Sequence, residues 1–354
     1  RNVVMMFCAL YFRRSPTLGA RCGVLAPTVR RYGAANILHE QNIPRASINN
    51  LWQLTHNKSS TSYFPPQLLS LINESAKEES QSNMSDKLYN DLTREMTSFM
   101  LQSTNSQNDA RDDDRMTSEQ VYNPGLLDTC DALVWGFNSP FLWRITQEDV
   151  KSLYKSNISK HHCEIAVGTG LFLSKDVSNV CKTITLIDLN ENSLQSCEKR
   201  IQSTYLNCGK GVDNDNTPVI SKLVADIMVP PEEDSSLSPL KGKFQSVGAN
   251  FLFHCLHGSN FPDKAIAFRN CASLLDPQDG VFFGSTILGK EMLHDKMNAG
   301  KTVMQVLHNF NESGVFGNLG DLMEDLECLL EEIFADVEVW RVGYCGMWAA
   351  RNPK

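Results

Sequence analysis

Apolar runs of strand length recur from about residue 121 onward, separated by stretches with helical periodicity. The runs fall at 163–168, 183–188, 219–225, 244–251, 280–287, 335–342 and 344–350, predicting seven strands. Between them, Leu194, Cys197, Ile201 and Tyr205 share one face of a helix over 191–205. Ala265, Phe268, Ala272 and Leu275 do the same over 263–275, and Leu322, Leu326, Leu329 and Ile333 over 321–334. Strands alternating with amphipathic helices predict an α/β fold, a mostly parallel sheet with helices on both faces. The last two strands are joined by a very short turn around Gly343, so they must run antiparallel. An aromatic-rich helical cap, 122–154, precedes the first strand.

Upstream the pattern stops. Residues 46–120 are rich in Ser, Asn, Gln and Thr and carry the charged run 109–115 (DARDDDR), which reads as a low-complexity, flexible extension. One helix within it would align Leu88, Leu92, Met96 and Phe99. Residues 1–45 hold seven arginines against the single acid Glu40, a net of +6, which leaves −14 on the remainder of a chain whose total is −8. An arginine-rich, acid-poor leader is expected of a mitochondrial transit peptide, with Arg30-Arg31-Tyr32 as a processing triplet. A secretory signal or a cytoplasmic location is the alternative. The apolar run 3–12 is too short to span a bilayer, and no other membrane span is expected. An acidic body is a poor electrostatic partner for nucleic acid. Eleven cysteines without a CxxC pair argue against a zinc module and a disulfide framework.

The chemistry concentrates in 163–189, CEIAVGTGLFLSKDVSNVCKTITLIDL. A strand enters a turn with Gly168 and Gly170, a helical segment follows, and a second strand ends on Asp188. Glycines let a ligand lie against the backbone, and a carboxylate at that strand end can accept both ribose hydroxyls. A bound pyrophosphate asks for a third glycine, where this chain has Leu173. A nucleoside cofactor without phosphate fits better, and S-adenosylmethionine is one. On that reading Glu164 meets its ammonium group, Asp188 its ribose, and Asp226, at the end of the third strand, sits by the adenine.

These residues resemble the class I S-adenosylmethionine-dependent methyltransferases. The phrases at 135–144 (WGFNSPFLWR), 168–173, 186–194, 250–258 (NFLFHCLHG), 283–289 and 314–327 are similar to a bacterial and fungal small-molecule family of type 11/12-like methyltransferases. The resemblance spans about 121–352. It implies a Rossmann-like sheet of six parallel strands and an antiparallel seventh and a small organic methyl acceptor; the residues themselves show no spaced set of metal ligands. Mapped onto it, the cofactor residues are Glu164, Val167, Gly168, Thr169, Gly170, Asp188, Leu189, Asp226, Ile227 and Asn250. Ala166 stands where the pattern has a glycine, acceptable if its backbone angles are those of a strand.

Methyl transfer to a hydroxyl is helped by a base near the end of the fourth strand. His254, or else His257, is the candidate general base; the alternative makes both structural residues of the loop. Trp135 and Asn138 are expected to line the acceptor pocket with His254, Phe141 and Trp143 to pack in the core, and Tyr122 to fold over the cofactor. Oxygen is the expected acceptor, ahead of nitrogen and carbon. The rivals are a non-catalytic relative working within a complex, a protein methyltransferase, and a nicotinamide-dependent oxidoreductase, the last opposed by Leu173 and the carboxyl-terminal hairpin. His161 and His162 read as polar residues flanking the first strand.

Overall fold

A computed structural model describes residues 134–206, 217–230, 236–293, 300–312 and 314–354, together with Gln67, Ser70, Leu71 and Asp131. The expected leader, the helix face at 88–99 and Tyr122 lie outside the described residues, as does the side chain of Phe141.

Seven strands form one sheet: β1 His161–Ile165, β2 Thr183–Asp188, β3 Val219–Val224, β4 Ser246–Asn250, β5 Val281–Ile287, β6 Phe334–Val342 and β7 Cys345–Pro353. Their order is β3-β2-β1-β4-β5-β7-β6. β7 is antiparallel to both neighbours, and the other pairs are parallel, so six strands point one way and the seventh is inserted against them. The helices are α1 Gln147–Asn157, α2 Glu191–Leu206, α3 Ala265–Leu274, α4 Lys301–Glu312 and α5 Met323–Ile333. β1, β4 and β5 are almost wholly buried, as strands covered on both faces must be, whereas the edge strand β3 is largely exposed. The periodic helix faces go inward: Leu194, Cys197 and Ile201 of α2 and Leu326, Leu329, Leu330 and Ile333 of α5 are buried. In α3 the buried face also takes in Ala267 and Cys271 and is wider than the spacing of four predicted.

β1 departs from its predicted bounds in a way that matters. It begins at His161, and the chain leaves the strand after Ile165 because Ala166, Gly168 and Gly170 all take positive φ, at 56°, 51° and 70°. Ala166 is therefore not in strand geometry, and its methyl group carries the left-handed penalty that a glycine avoids. Ala166→Gly is expected to stabilise the domain by about 0.5–1 kcal/mol, read as a raised denaturation midpoint in urea.

The cap is a wide, π-type helix, Val134–Leu142, with Pro140 inside it. Its exit is fastened to the β6–β7 turn, where the Tyr344 amide donates to the Trp143 carbonyl at 2.8 Å. Gly343 (φ 55°) sits there because any Cβ would collide with the carbonyls of Trp143 and Arg144. The chain then enters α1 through a capping box, the Asp149 amide donating to Thr146 Oγ1 at 3.2 Å and the Thr146 amide to Asp149 Oδ2 at 2.8 Å. Among the described residues no helix is long and apolar enough to cross a membrane.

Candidate active site

The strand order reverses between β1 and β4, and in such sheets ligands bind beyond the carboxyl ends of the strands at that point. A cavity of about 420 Å³ lies there, built from the ends of β1, β2, β4 and β5, the segment after β3, and the cap. Glu164, Val167, Gly168 and Thr169 line it from β1 and its turn, Asp188 and Leu189 from β2. Asp226 and Ile227 follow β3, and Asn250, His254 and His257 follow β4; Trp135 and Asn138 come from the cap.

Gly170 is not in the lining. A Cβ there would lie 2.6 Å from Cys197 Sγ and 3.0 Å from its Cα, so this glycine serves the close approach of α2 to the turn. Gly168 is the one that faces open space, with nothing within 4 Å of a Cβ position. Trp143 also differs from expectation: it is buried, but it borders the cavity and leans on Phe316, ring centroids 6.1 Å apart.

The acidic groups are differently held. Asp188 Oδ1 accepts from the Asn190 amide at 2.9 Å. Burial pushes the Asp188 carboxyl up to about 6, with the surrounding backbone amides pulling the other way. Asp226 Oδ1 accepts from the Met228 amide at 2.8 Å. Glu164, 4 % exposed, is engaged at Oε1 by the Tyr154 hydroxyl and at Oε2 by His162 Nε2 at 2.9 Å. Burial and the neighbouring Glu164 carboxylate push the Tyr154 hydroxyl well above its ordinary value, so it stays a donor.

Beneath the cap the cavity walls are aromatic. Trp135 meets Phe172 and Phe251 edge-on, at 4.6 and 4.8 Å between centroids, and Phe316 meets His254 edge-on at 4.6 Å. Phe251 holds φ 55° at the end of β4, an uncommon angle for a bulky residue and, with Ala166, one of two left-handed non-glycine residues in the described cavity wall. His254 is buried with Nδ1 3.3 Å from Thr286 Oγ1. Burial, with the Lys264 charge adding to it, pushes its imidazolium down to about 3, so the ring is neutral at physiological pH. Lys264 in turn is buried against Asp321 at 2.7 Å, which ties the loop after β4 to the one before α5. His257 is exposed at the rim.

Sequence reasoning read His162 only as a polar residue flanking the first strand and gave Tyr154, Asp131 and Arg200 no role at this site. His162 lies two residues before Glu164, hence on the same face of β1, a relation that strand periodicity could have exposed. Asp131, ahead of the cap helix in sequence, bonds Arg200 Nη2 at 2.5 Å and accepts from the Thr169 hydroxyl at the glycine turn. No local signal marks a pair 69 residues apart.

No family model matches the chain. Among curated proteins it is 28% identical over 242 residues to methyltransferase ctvB of Aspergillus terreus, covering 67% of this chain and 95% of that protein. It is 28% identical over 245 residues to demethylluteothin O-methyltransferase of Streptomyces thioluteus, covering 67% and 94%. It is 29% identical over 209 residues to N-methyltransferase vrtF of Penicillium aethiopicum, covering 59% and 76%. The chain is an S-adenosylmethionine-dependent methyltransferase, similar to curated O- and N-methyltransferases.

The lining of this methyltransferase suits its cofactor. Its charged side chains are Asp131, Glu164, Asp188 and Asp226, with no lysine or arginine among the described lining residues. Such a wall favours a ligand carrying a sulfonium and an ammonium and opposes a pyrophosphate. Leu173, where a dinucleotide turn has its third glycine, is buried in the methyltransferase core.

Proposed function

We propose that the enzyme methylates the oxygen of a small hydroxyl-bearing acceptor bound beneath the aromatic cap. The observation that carries this reading is the buried, neutral imidazole of His254, which opens onto the same cavity as the acidic strand ends. The named relatives include both O- and N-methyltransferases, which supports a small acceptor and leaves its atom to the site's chemistry.

S-adenosylmethionine supplies a methyl group on positively charged sulfur, ready for in-line displacement. The protein's task is then placement. Glu164 takes the ammonium end, Asp188 the ribose hydroxyls, and Asp226 with Ile227 the adenine edge, while the backbone of Val167, Gly168 and Thr169 forms the floor and Asn250 and Leu189 complete the walls. Trp135 holds the acceptor ring or chain by contact. Asn138 is 5 % exposed and its Oδ1 has no partner among the described residues, so it is available to accept a hydrogen bond from the substrate. His254 accepts the hydroxyl's hydrogen bond and aligns the oxygen; with its imidazolium at about 3 it is a weak resting place for the proton, an orienting group more than a strong general base.

That distinction has a pH signature. At saturating cofactor, kcat is expected to show no ionisation from His254 between about pH 5 and 8, because the ring is already deprotonated throughout that window. A limb centred near the ordinary histidine value of about 6.5 would restore the general-base role. The acceptor itself is found by incubating the enzyme with small-molecule extracts and isotopically labelled cofactor, then identifying the labelled product by mass. An O-methylated metabolite is expected. Label only on nitrogen, or only on protein, overturns the reading.

A further inference from the structure

The Glu164 carboxylate sits in a built cradle. Ser159 donates its amide hydrogen to Ser246 Oγ at 2.9 Å, and Ser246 Oγ lies 2.9 Å from His162 Nδ1. With the Ser246 hydroxyl donating to Nδ1, the ring's proton belongs on Nε2, which faces Glu164 Oε2 at 2.9 Å. The Tyr154 hydroxyl donates to Oε1. In this order every group of the chain has its partner. Packing fixes the rings: His162 stacks on Phe283 at 5.9 Å, and Tyr154 stacks on Phe172 at 5.6 Å. Gly248 pairs with Glu164 across β1 and β4, and any Cβ there would collide with Glu164 Oε2. The space occupied by the carboxylate exists because that position is a glycine.

A carboxylate offers roughly four acceptor sites, of which the cradle takes two. Its free side belongs to the cavity lining. We propose that His162 and Tyr154 are positioning residues that hold the Glu164 carboxylate toward the ammonium of the cofactor's amino-acid end, with Ser246 setting the tautomer of His162. The proposal rests on the cofactor reading above and on Glu164 as the ammonium's partner. Neither ring touches the reacting atoms; both act through Glu164.

Two ligands separate this role from general support of the fold. S-adenosylhomocysteine carries the amino-acid end, whereas 5′-methylthioadenosine keeps the adenosine and lacks it. In Tyr154→Phe and His162→Gln, calorimetry is expected to show S-adenosylhomocysteine binding weakened by about tenfold or more, with 5′-methylthioadenosine binding unchanged. Ser246→Ala, remote from the cavity, is expected to shift the same ratio by about threefold, and it carries the test if the other two variants fail to fold. A parallel loss for both ligands, or an unchanged ratio, overturns the proposal. If the ratio collapses in Glu164→Gln while the two neighbouring variants keep it, Glu164 keeps its role and the positioning network is refuted. Failure of the unmodified protein to bind S-adenosylhomocysteine would instead refute the cofactor reading itself.

Discussion

Gly170→Ala is expected to cost the fold about 2–5 kcal/mol, measured as a drop in the free energy of unfolding in urea. Two independent penalties add. Residue 170 holds φ 70°, where a side chain costs about 1–2 kcal/mol. The new methyl would also press on the Sγ and Cα of Cys197, in the middle of α2, so the helix has to move as a body. Overpacking of that kind costs about 1–3 kcal/mol in a filled core. Gly168→Ala makes the contrast: its φ is also positive, yet its Cβ position is open, so it pays the backbone penalty alone while placing a methyl group on the floor of the cavity. The first variant should lose stability ahead of ligand binding, and the second should lose binding while staying folded. Equal stability losses in the two would contradict the assignment of one glycine to packing and the other to the ligand.

Asp188→Ala is expected to weaken S-adenosylhomocysteine binding by about 1–3 kcal/mol, or about 5- to 150-fold by calorimetry, through loss of charge-assisted hydrogen bonds to the ribose. Unchanged affinity would place the ribose elsewhere. The same carboxyl makes binding pH-dependent. Its proton is held up to about pH 6, and hydroxyl donors favour the ionised form. Affinity should therefore be full above about pH 7 and fall as pH drops through 6, approaching a tenfold loss per unit below it. Asp188→Asn should abolish that slope while retaining part of the affinity. A slope that survives in Asp188→Asn belongs to another group.

β2 and β5 were legible because they are buried on both faces and carry mostly apolar or β-branched residues, whereas β1 and β4, equally buried, admit His162, Glu164 and Ser246 and showed only as shorter apolar stretches. The acidic positions at strand ends followed from the fold, since Asp188 and Glu164 are placed by backbone geometry that the glycine turn announces. What stayed hidden depends on angles and distant partners. Nothing in the identity of Ala166 or Phe251 signals a positive φ; those angles are imposed by the turn after β1 and by the backbone bond from the Phe251 amide to the Ser285 carbonyl at 2.7 Å. His162 was obscured by a two-residue error in where β1 begins, which hid its shared face with Glu164. Gly170 looked equivalent to Gly168, and only the position of Cys197 separates them. Asp131 and Arg200 meet through tertiary structure alone, as do Lys264 and Asp321.

That the charged side chains of the described lining are all acidic also bears on turnover. Transfer of the methyl group removes the positive charge from sulfur, so the spent product confronts the same four carboxylates with one fewer cation to satisfy them. The wall that gathers the charged donor thereby loosens its hold once the reaction is done, and the enzyme should suffer less inhibition by its own by-product in low salt than in high, where the field of those carboxylates is screened.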